Sequence, residues 1–337
     1  MSSFGIYTLA NDAVYDQLVA LLNSIEVNVS PDIPVCVIPY DERLARVKQE
    51  LECRPNVTLF DNWQSIQRWD NFVNKVWMAH PRSKQSKFSR PPWYGGYVHR
   101  KFASFDGSFE RFVFYDADSL AMKPIDDIYK KLGEYDFVFN DWEHAKPRSV
   151  TEVDISATER MMNLKESEIR PKLHCDSFIG SKQEIFGAKE LEMLEERLVQ
   201  KKEVECIKAW WSSSGLFSYM TLPIGRPMFN FTLSSNSQDR TGNCADADPF
   251  VNINNVLYNQ EGKKPIHRIH YMNYSSIDFA RLCKGEDVDI RYKDIFLHYR
   301  FLKQPEQKPQ QLKKATSLTK MSRKTQKVIN KIKRTLF

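Results

Sequence analysis

The chain opens on short apolar runs alternating with amphipathic stretches. Phe4 to Leu9 reads as a buried strand, and Asn11 or Asp12 stands where a helix cap belongs. Val14, Leu18, Leu21, Leu22 and Ile25 then recur at helical spacing. Ile33 to Pro39 predicts a second strand, Asp41 to Leu51 a helix, and Val57 to Phe60 a third strand. Strands that alternate with helices build a mainly parallel sheet with helices on both faces. Residues 62–98 break the rhythm with Trp63, Trp69, Trp77, Trp93, Pro91, Pro92, Gly95 and Gly96. An aromatic, turn-rich insertion of this length calls for a function, and two readings stand side by side. It is either a loop whose rings stack on an acceptor or a small satellite core. The alternation resumes with a helix over His99 to Phe105, a strand over Arg111 to Tyr115 and another over Asp136 to Asn140. Helices are predicted over Ser156 to Ser167 and Lys189 to Lys202.

Composition narrows the class. A chain of 337 residues with 42% hydrophobic and 12% aromatic residues suits a folded globular protein. No apolar window is long enough for a transmembrane helix, and the first residues read as a strand and not as a secretory leader. Six scattered cysteines without a CxxC pattern predict reduced thiols in a cytoplasmic protein, which makes the four Asn-x-Ser/Thr sequons incidental. The net charge of +6 is a property of the end of the chain: residues 312–337 carry nine Lys or Arg and no acid, leaving −3 for residues 1–311. The body therefore lacks the basic surface of a nucleic-acid-binding protein. Among those cations Leu318, Met321, Val328, Ile329, Ile332 and Leu336 fall at roughly helical spacing. Residues 312–337 are thus either a basic amphipathic helix in peripheral contact with an anionic membrane, at its inner face, or a solvated, disordered tail.

The candidate chemistry lies at Asp116-Ala117-Asp118, immediately after the strand Phe112-Val113-Phe114-Tyr115. In open α/β sheets ligands bind beyond the carboxyl ends of strands. Two aspartates at i and i+2 on a turn converge, and hard oxygen ligands suit Mg²⁺ or Mn²⁺ bridging to substrate phosphates.

In these segments the sequence resembles nucleotide-diphospho-sugar transferases of the GT-A fold, and is most similar to the glycogenin-like retaining group. Three segments carry the resemblance: Thr8-Leu9-Ala10-Asn11-Asp12 with Tyr15; Arg100-Lys101-Phe102 ahead of the acidic strand; and Ile266-His267-Arg268-Ile269-His270-Tyr271-Met272-Asn273. The resemblance implies a Rossmann-like α/β fold, a central mainly parallel sheet flanked by helices, spanning residues 1–311. It implies a glycosyltransferase moving a hexosyl group from a nucleotide-sugar donor, a UDP-sugar, to a carbohydrate, lipid-linked or protein acceptor. Thr8, Leu9, Asn11, Asp12 and Tyr15 would bind the nucleoside, Lys101 and Asp116 to Asp118 the diphosphate, and Asp116, Asp118 and His270 the Mn²⁺ (or Mg²⁺).

The pattern also departs from the family. Asn273 and Ser276 stand where H-x-x-G-x-x-K has its glycine and lysine; Arg281 and Arg300 are the candidate replacements, and His267 and His298 compete with His270. His174 to Ser181 resembles the family's N-S-G strand, with Asp176 in place of asparagine, which makes Asp176 the candidate sugar-proximal catalytic carboxylate. Asp141, Glu143, Asp246 and Asp248 are further carboxylates in reach of that role. In Trp210 to Phe217, serine and glycine replace the family's acid and amide.

Three other functions stay open. A haloacid-dehalogenase-type phosphatase also places DxD after a strand, but on its first strand. A sugar nucleotidyltransferase would carry a glycine-rich loop where Leu9 to Asp12 has none. A non-catalytic carbohydrate- or nucleotide-sugar-binding protein on a decayed transferase fold accommodates the departures.

Overall fold

The first apolar run forms β1 (Phe4–Ala10) in the computed structural model, which describes residues 3–84, 96–209, 211–236 and 239–316. Asn11 caps a 3₁₀ turn that leads into α1 (Tyr15–Asn28), followed by β2 (Val35–Pro39), α2 (Ala45–Glu52), β3 (Val57–Leu59) and α3 (Trp63–Ala79). A 3₁₀ helix, Val98–Asp106, stands where an α-helix was expected. It precedes β4 (Arg111–Asp116), β5 (Ser119–Ala121), α4 (Asp126–Lys131) and β6 (Phe137–Phe139). The helix expected over Ser156 to Ser167 is two pieces, α5 (Ile155–Met162) and α6 (Glu166–Ile169), because Asn163 between them takes a left-handed conformation with φ of 53°. Next come β7 (Phe178–Lys182), α7 (Ala188–Glu195), which continues as a π-helical turn, α8 (Ser213–Ile224) and β8 (Met228–Asn230). The hairpin β9 (Val251–Ile253) and β10 (Val256–Tyr258), then β11 (Arg268–His270), α9 (Ser276–Cys283) and α10 (Lys293–Arg300) follow.

Seven strands form the central sheet in the order β3-β2-β1-β4-β7-β6-β8. Only β7 runs against its neighbours, pairing antiparallel with β4 and β6, so the sheet is mostly parallel. Both faces are covered. Phe112 and Phe114 of β4 pack into one core with α3, while Val113 and Tyr115 pack into the other with α1. This two-sided burial is why the strand reads as a near-continuous apolar run. A third cluster, around Leu120, Ile269, Phe279 and Phe296, joins the second half of the chain to the acidic turn.

Residues 63–79 are neither an acceptor loop nor a detached satellite. They form one amphipathic helix, capped by the Asn62 side chain, and Ile66, Trp69, Phe72, Val73, Val76 and Trp77 bury one face of it in the main core. Trp69 and Trp77 are fully enclosed and unavailable to a ligand. Trp93 and Trp210 lie outside the described residues, as do 317–337, where most of the expected membrane contact falls. Within residues 312–316, the Lys313 backbone pairs with Gly285 and Asp287. Among the described residues no helix is long and apolar enough to cross a membrane. All six cysteines are free thiols.

Candidate functional site

After Arg111, the strand β4 is a buried aromatic and aliphatic run up to its last residue, Asp116, and the turn at Ala117 and Asp118 delivers the chain to β5. That strand pairs antiparallel with β11, and the register sets His270 opposite Ser119, beside the acidic pair. The Tyr271 N–H donates to the Asp118 carbonyl at 2.9 Å and fixes this crossing. His270 Nε2 lies 3.3 Å from Asp118 Oδ1 and 3.9 Å from Asp116 Oδ2. One ligand atom from each of Asp116, Asp118 and His270 lies within 4.8 Å of the others. Two carboxylates and an imidazole at this spacing could hold a divalent cation. Burial pushes the Asp118 carboxyl up, but His270, Arg268 and Lys101 together hold the group below its ordinary value.

Asp116 and Asp118 are about a quarter exposed and form one wall of an open cleft of about 400 Å³. Leu9, Asn11, Val14, Tyr40, Tyr274 and Ser276 line it too. The N-terminal segment is thus divided. Leu9 and Asn11 face the cleft, and Thr8 lies fully buried beneath with no partner for its hydroxyl oxygen. Asp12 turns away: its Oδ1 accepts the Arg46 and Val47 N–H groups at 3.0 Å and caps α2. Tyr15 points to the same helix, donating to Glu50 at 2.8 Å under the Arg46 guanidinium.

Lys101 is buried behind the acidic pair, with 1% of its side chain exposed. Its ammonium donates to Asp116 Oδ1 at 2.8 Å and to the Asp176 carbonyl at 3.2 Å, with Asp176 Oδ2 at 3.4 Å. The lysine expected beside the donor diphosphate is therefore engaged by two aspartates from below. Asp176 belongs to this network and is itself buried.

In the third segment His270 is the site histidine. His267, on the other face of β11, is locked between Asn140 at 2.6 Å and Asp127 at 3.0 Å. Asn273 donates to Asp246, and Ser276 lines the cleft. Neither candidate replacement for the family's lysine is at hand. Arg281 pairs with Asp278 and Glu286, and Arg300 pairs with Asp16 at 2.7 Å. Asp248 accepts the Asn243 and Cys244 N–H groups at 2.8 and 2.9 Å, a structural role for half of the Asp246-Ala247-Asp248 cluster.

Two groups gain weight from the structure. Arg268, two residues before His270 on the same face of β11, is 1% exposed and has no carboxylate within 4 Å among the described residues. It donates to Ser177 Oγ at 2.9 Å and to Ser119 Oγ at 3.4 Å, a cation set into the floor of the site. Its alternation with His270 was the one signal for it in the sequence.

Asp141, just past β6, accepts the Glu143 N–H at 2.9 Å and the Cys175 N–H at 3.1 Å. Burial nevertheless pushes its carboxyl up from 3.8 to about 7. Between those values the folded state keeps a proton that the unfolded chain releases. The group's stabilising contribution is thus complete below about pH 4 and is lost as the pH rises through about 7, with an upper limit of roughly 4 kcal/mol. Asp141→Asn is expected to flatten this slope. Urea denaturation at about pH 5 and about pH 8 checks it, since wild type should lose more stability over that interval than the variant. Equal slopes would assign the proton elsewhere.

No protein-family model matches the chain, and no curated protein sequence matches it. Solved structures do. The apo structure of the bifunctional glycosyltransferase WbbM superposes with a TM-score of 0.51 at 12% identity over 89% of this chain, which spans 50% of the WbbM chain. The galactosyltransferase LgtC, in complex with donor and acceptor sugar analogues, is matched over 88% of this chain and 95% of its own, at 12% identity and a TM-score of 0.49. GlyE, a glycosyltransferase of Streptococcus pneumoniae TIGR4, is matched over 89% and 60%, at 9% identity and 0.44. At such identities the likeness to WbbM is one of fold: the α/β architecture is that of GT-A glycosyltransferases.

Proposed function

We propose that this protein is a glycosyltransferase that moves a sugar from a nucleotide-diphosphate donor, a UDP-sugar, to a glycan, lipid-linked or protein acceptor. The convergence of Asp116, Asp118 and His270 on the wall of an open cleft carries this reading. The donor set fits a divalent cation, and the imidazole favours Mn²⁺ over Mg²⁺. A bound ion would supply positive charge against the donor diphosphate as the sugar–phosphate bond breaks.

The chain's own groups do the rest. Leu9 and Asn11 offer the nucleoside an apolar contact and a polar edge. Lys101 fixes the carboxylate of Asp116 and, through Asp176, the loop before β7. Asp176 is held by that ammonium, so it positions the lysine and is not free as a base. A retaining outcome, in which charge around the leaving diphosphate does most of the work, suits a site without a free carboxylate base and agrees with the glycogenin-like motifs.

A second reading has one observation in its favour. Ser276 occupies the family's lysine position, and both candidate arginines, Arg281 and Arg300, are engaged by carboxylates elsewhere. A protein that binds the donor without turning it over would look the same.

Thermal unfolding across UDP-, GDP- and CMP-sugars, with and without Mn²⁺, decides between them when run beside a donor-hydrolysis assay. One nucleotide is expected to stabilise the fold only with Mn²⁺, by about 2.7 kcal/mol at a hundredfold excess over Kd. Stabilisation without turnover selects the second reading, and no stabilisation by any donor defeats both.

A further inference from the structure

The strands β4 and β6 run parallel, separated only by β7, so their carboxyl ends stand on the same edge of the sheet, about 10 Å apart at ordinary strand spacing. Asp118 lies just beyond the first and Trp142 just beyond the second. With Trp69 and Trp77 enclosed and Trp211 half-buried against the main core, Trp142 is the described tryptophan that brings an exposed ring to this edge; Trp63, also exposed, follows β3 at the far margin of the sheet.

Trp142 is 39% exposed, yet it is held in place. Its indole N–H donates to the Thr241 carbonyl at 3.3 Å, and its ring lies 5.8 Å from the His144 imidazole, which is bonded to Thr232 at 2.8 Å. The extended segment that receives the indole continues to Asn243, whose carbonyl accepts the His270 N–H at 2.7 Å and whose side chain donates to the Asn140 carbonyl at 2.8 Å. Trp142 is thereby tied through one short segment to the proposed metal-binding histidine. Leu233 and Met272, 44% and 53% exposed, follow the Thr232 that holds His144 and the Tyr271 next to His270. An oriented indole, amphipathic and open to solvent, offers a π-face to the C–H groups of a pyranose ring.

We infer that Trp142 is the stacking platform for a pyranose ring of the acceptor, placed across the sheet edge from the donor diphosphate. The inference rests on the transferase reading for its location but is tested apart from it. Methyl pyranosides of glucose, galactose, mannose and N-acetylglucosamine, in both anomers, serve as probes in saturation-transfer NMR. Each is run with the protein alone and with UDP and Mn²⁺.

Ring protons of at least one pyranoside should receive saturation from wild type and from Trp142→Phe, with affinity about tenfold lower in Trp142→Ala. Circular dichroism establishes that each variant is folded, and Trp142→Leu replaces an unfolded Trp142→Ala. Equal saturation in the wild type and the truncated variant, or no pyranoside contact in either arm, overturns the inference. If UDP with Mn²⁺ stabilises the fold while no pyranoside touches Trp142, this inference fails alone. If pyranosides bind at Trp142 and no nucleotide stabilises, the transferase reading fails and the platform stands as a carbohydrate-binding surface.

Discussion

Replacing Asp118 with alanine is expected to abolish Mn²⁺-dependent sugar transfer, with kcat/KM falling about 10³-fold or more. The carboxylate lies nearest to His270, and its loss leaves one aspartate and one imidazole where three donor groups converge. A metal that screens a diphosphate is worth several kcal/mol in the transition state, and each 1.36 kcal/mol is a factor of ten. The fold should survive, because Asp118 is a quarter exposed and, unlike Asp116, has no buried lysine as its partner. Mn²⁺ titrations of donor turnover, followed beside melting curves, separate the two effects. A folded variant within tenfold of wild type would remove the metal from the reaction.

The largest loss of stability is expected at Lys101. Lys101→Met keeps the apolar stem and deletes a buried ammonium shared by the buried Asp176 and the partly buried Asp116. Breaking a buried ion pair from one side costs about 3–5 kcal/mol, since the remaining charges stay uncompensated in a poor solvent. Urea denaturation should show that deficit at neutral pH. The sign of its pH dependence follows from the carboxylates. Burial already raises the Asp116 carboxyl above its ordinary value and Lys101 opposes that rise, so without the ammonium Asp116 takes up a proton more readily in the folded state and the deficit narrows as the pH falls. A variant with the wild-type urea midpoint would show that the ammonium contributes nothing to the fold.

Much of the architecture was legible in the pattern of apolar positions. In β4, successive residues pack into opposite cores, and the sequence Phe112 to Tyr115 states as much by having no polar member. The strand direction of β7 was not legible, because composition carries no sign of whether a buried strand runs with or against its neighbours. In α3, Ile66, Trp69, Phe72, Val73, Val76 and Trp77 follow a helical period, yet the density of tryptophans read as either an acceptor loop or a small satellite core. Trp69 and Trp77 instead fill the main core.

The site was legible in part for a similar reason. Asp116, Asp118 and His270 were found through motifs whose spacing mirrors the crossing of β5 and β11. Motif matching identified Asp12 and Tyr15 by position alone, whereas the direction of each side chain is set by α2, through the Arg46 and Val47 N–H groups and through Glu50. Lys101 was marked by its place before the acidic strand, and the structure sets it behind the acidic pair. Its burial depends on Asp176, 75 residues later, and no local pattern encodes that pairing. Trp142 carries no motif, and Arg268 is marked only by its alternation with His270.

The antiparallel crossing of β5 with β11 also orders events during synthesis. The acidic turn is made 152 residues before His270, an interval of roughly 8–30 seconds at ordinary translation rates. Arg268 arrives with the histidine, so throughout that interval the only one of these cations already made is Lys101, 15 residues ahead of Asp116. A nascent chain can therefore settle the acidic turn onto the lysine first and close the long loop to β11 afterwards, at a cost that grows only with the logarithm of loop length. The three donor groups converge only once β11 has docked, so a chain stalled before residue 268 holds the acidic turn without its histidine.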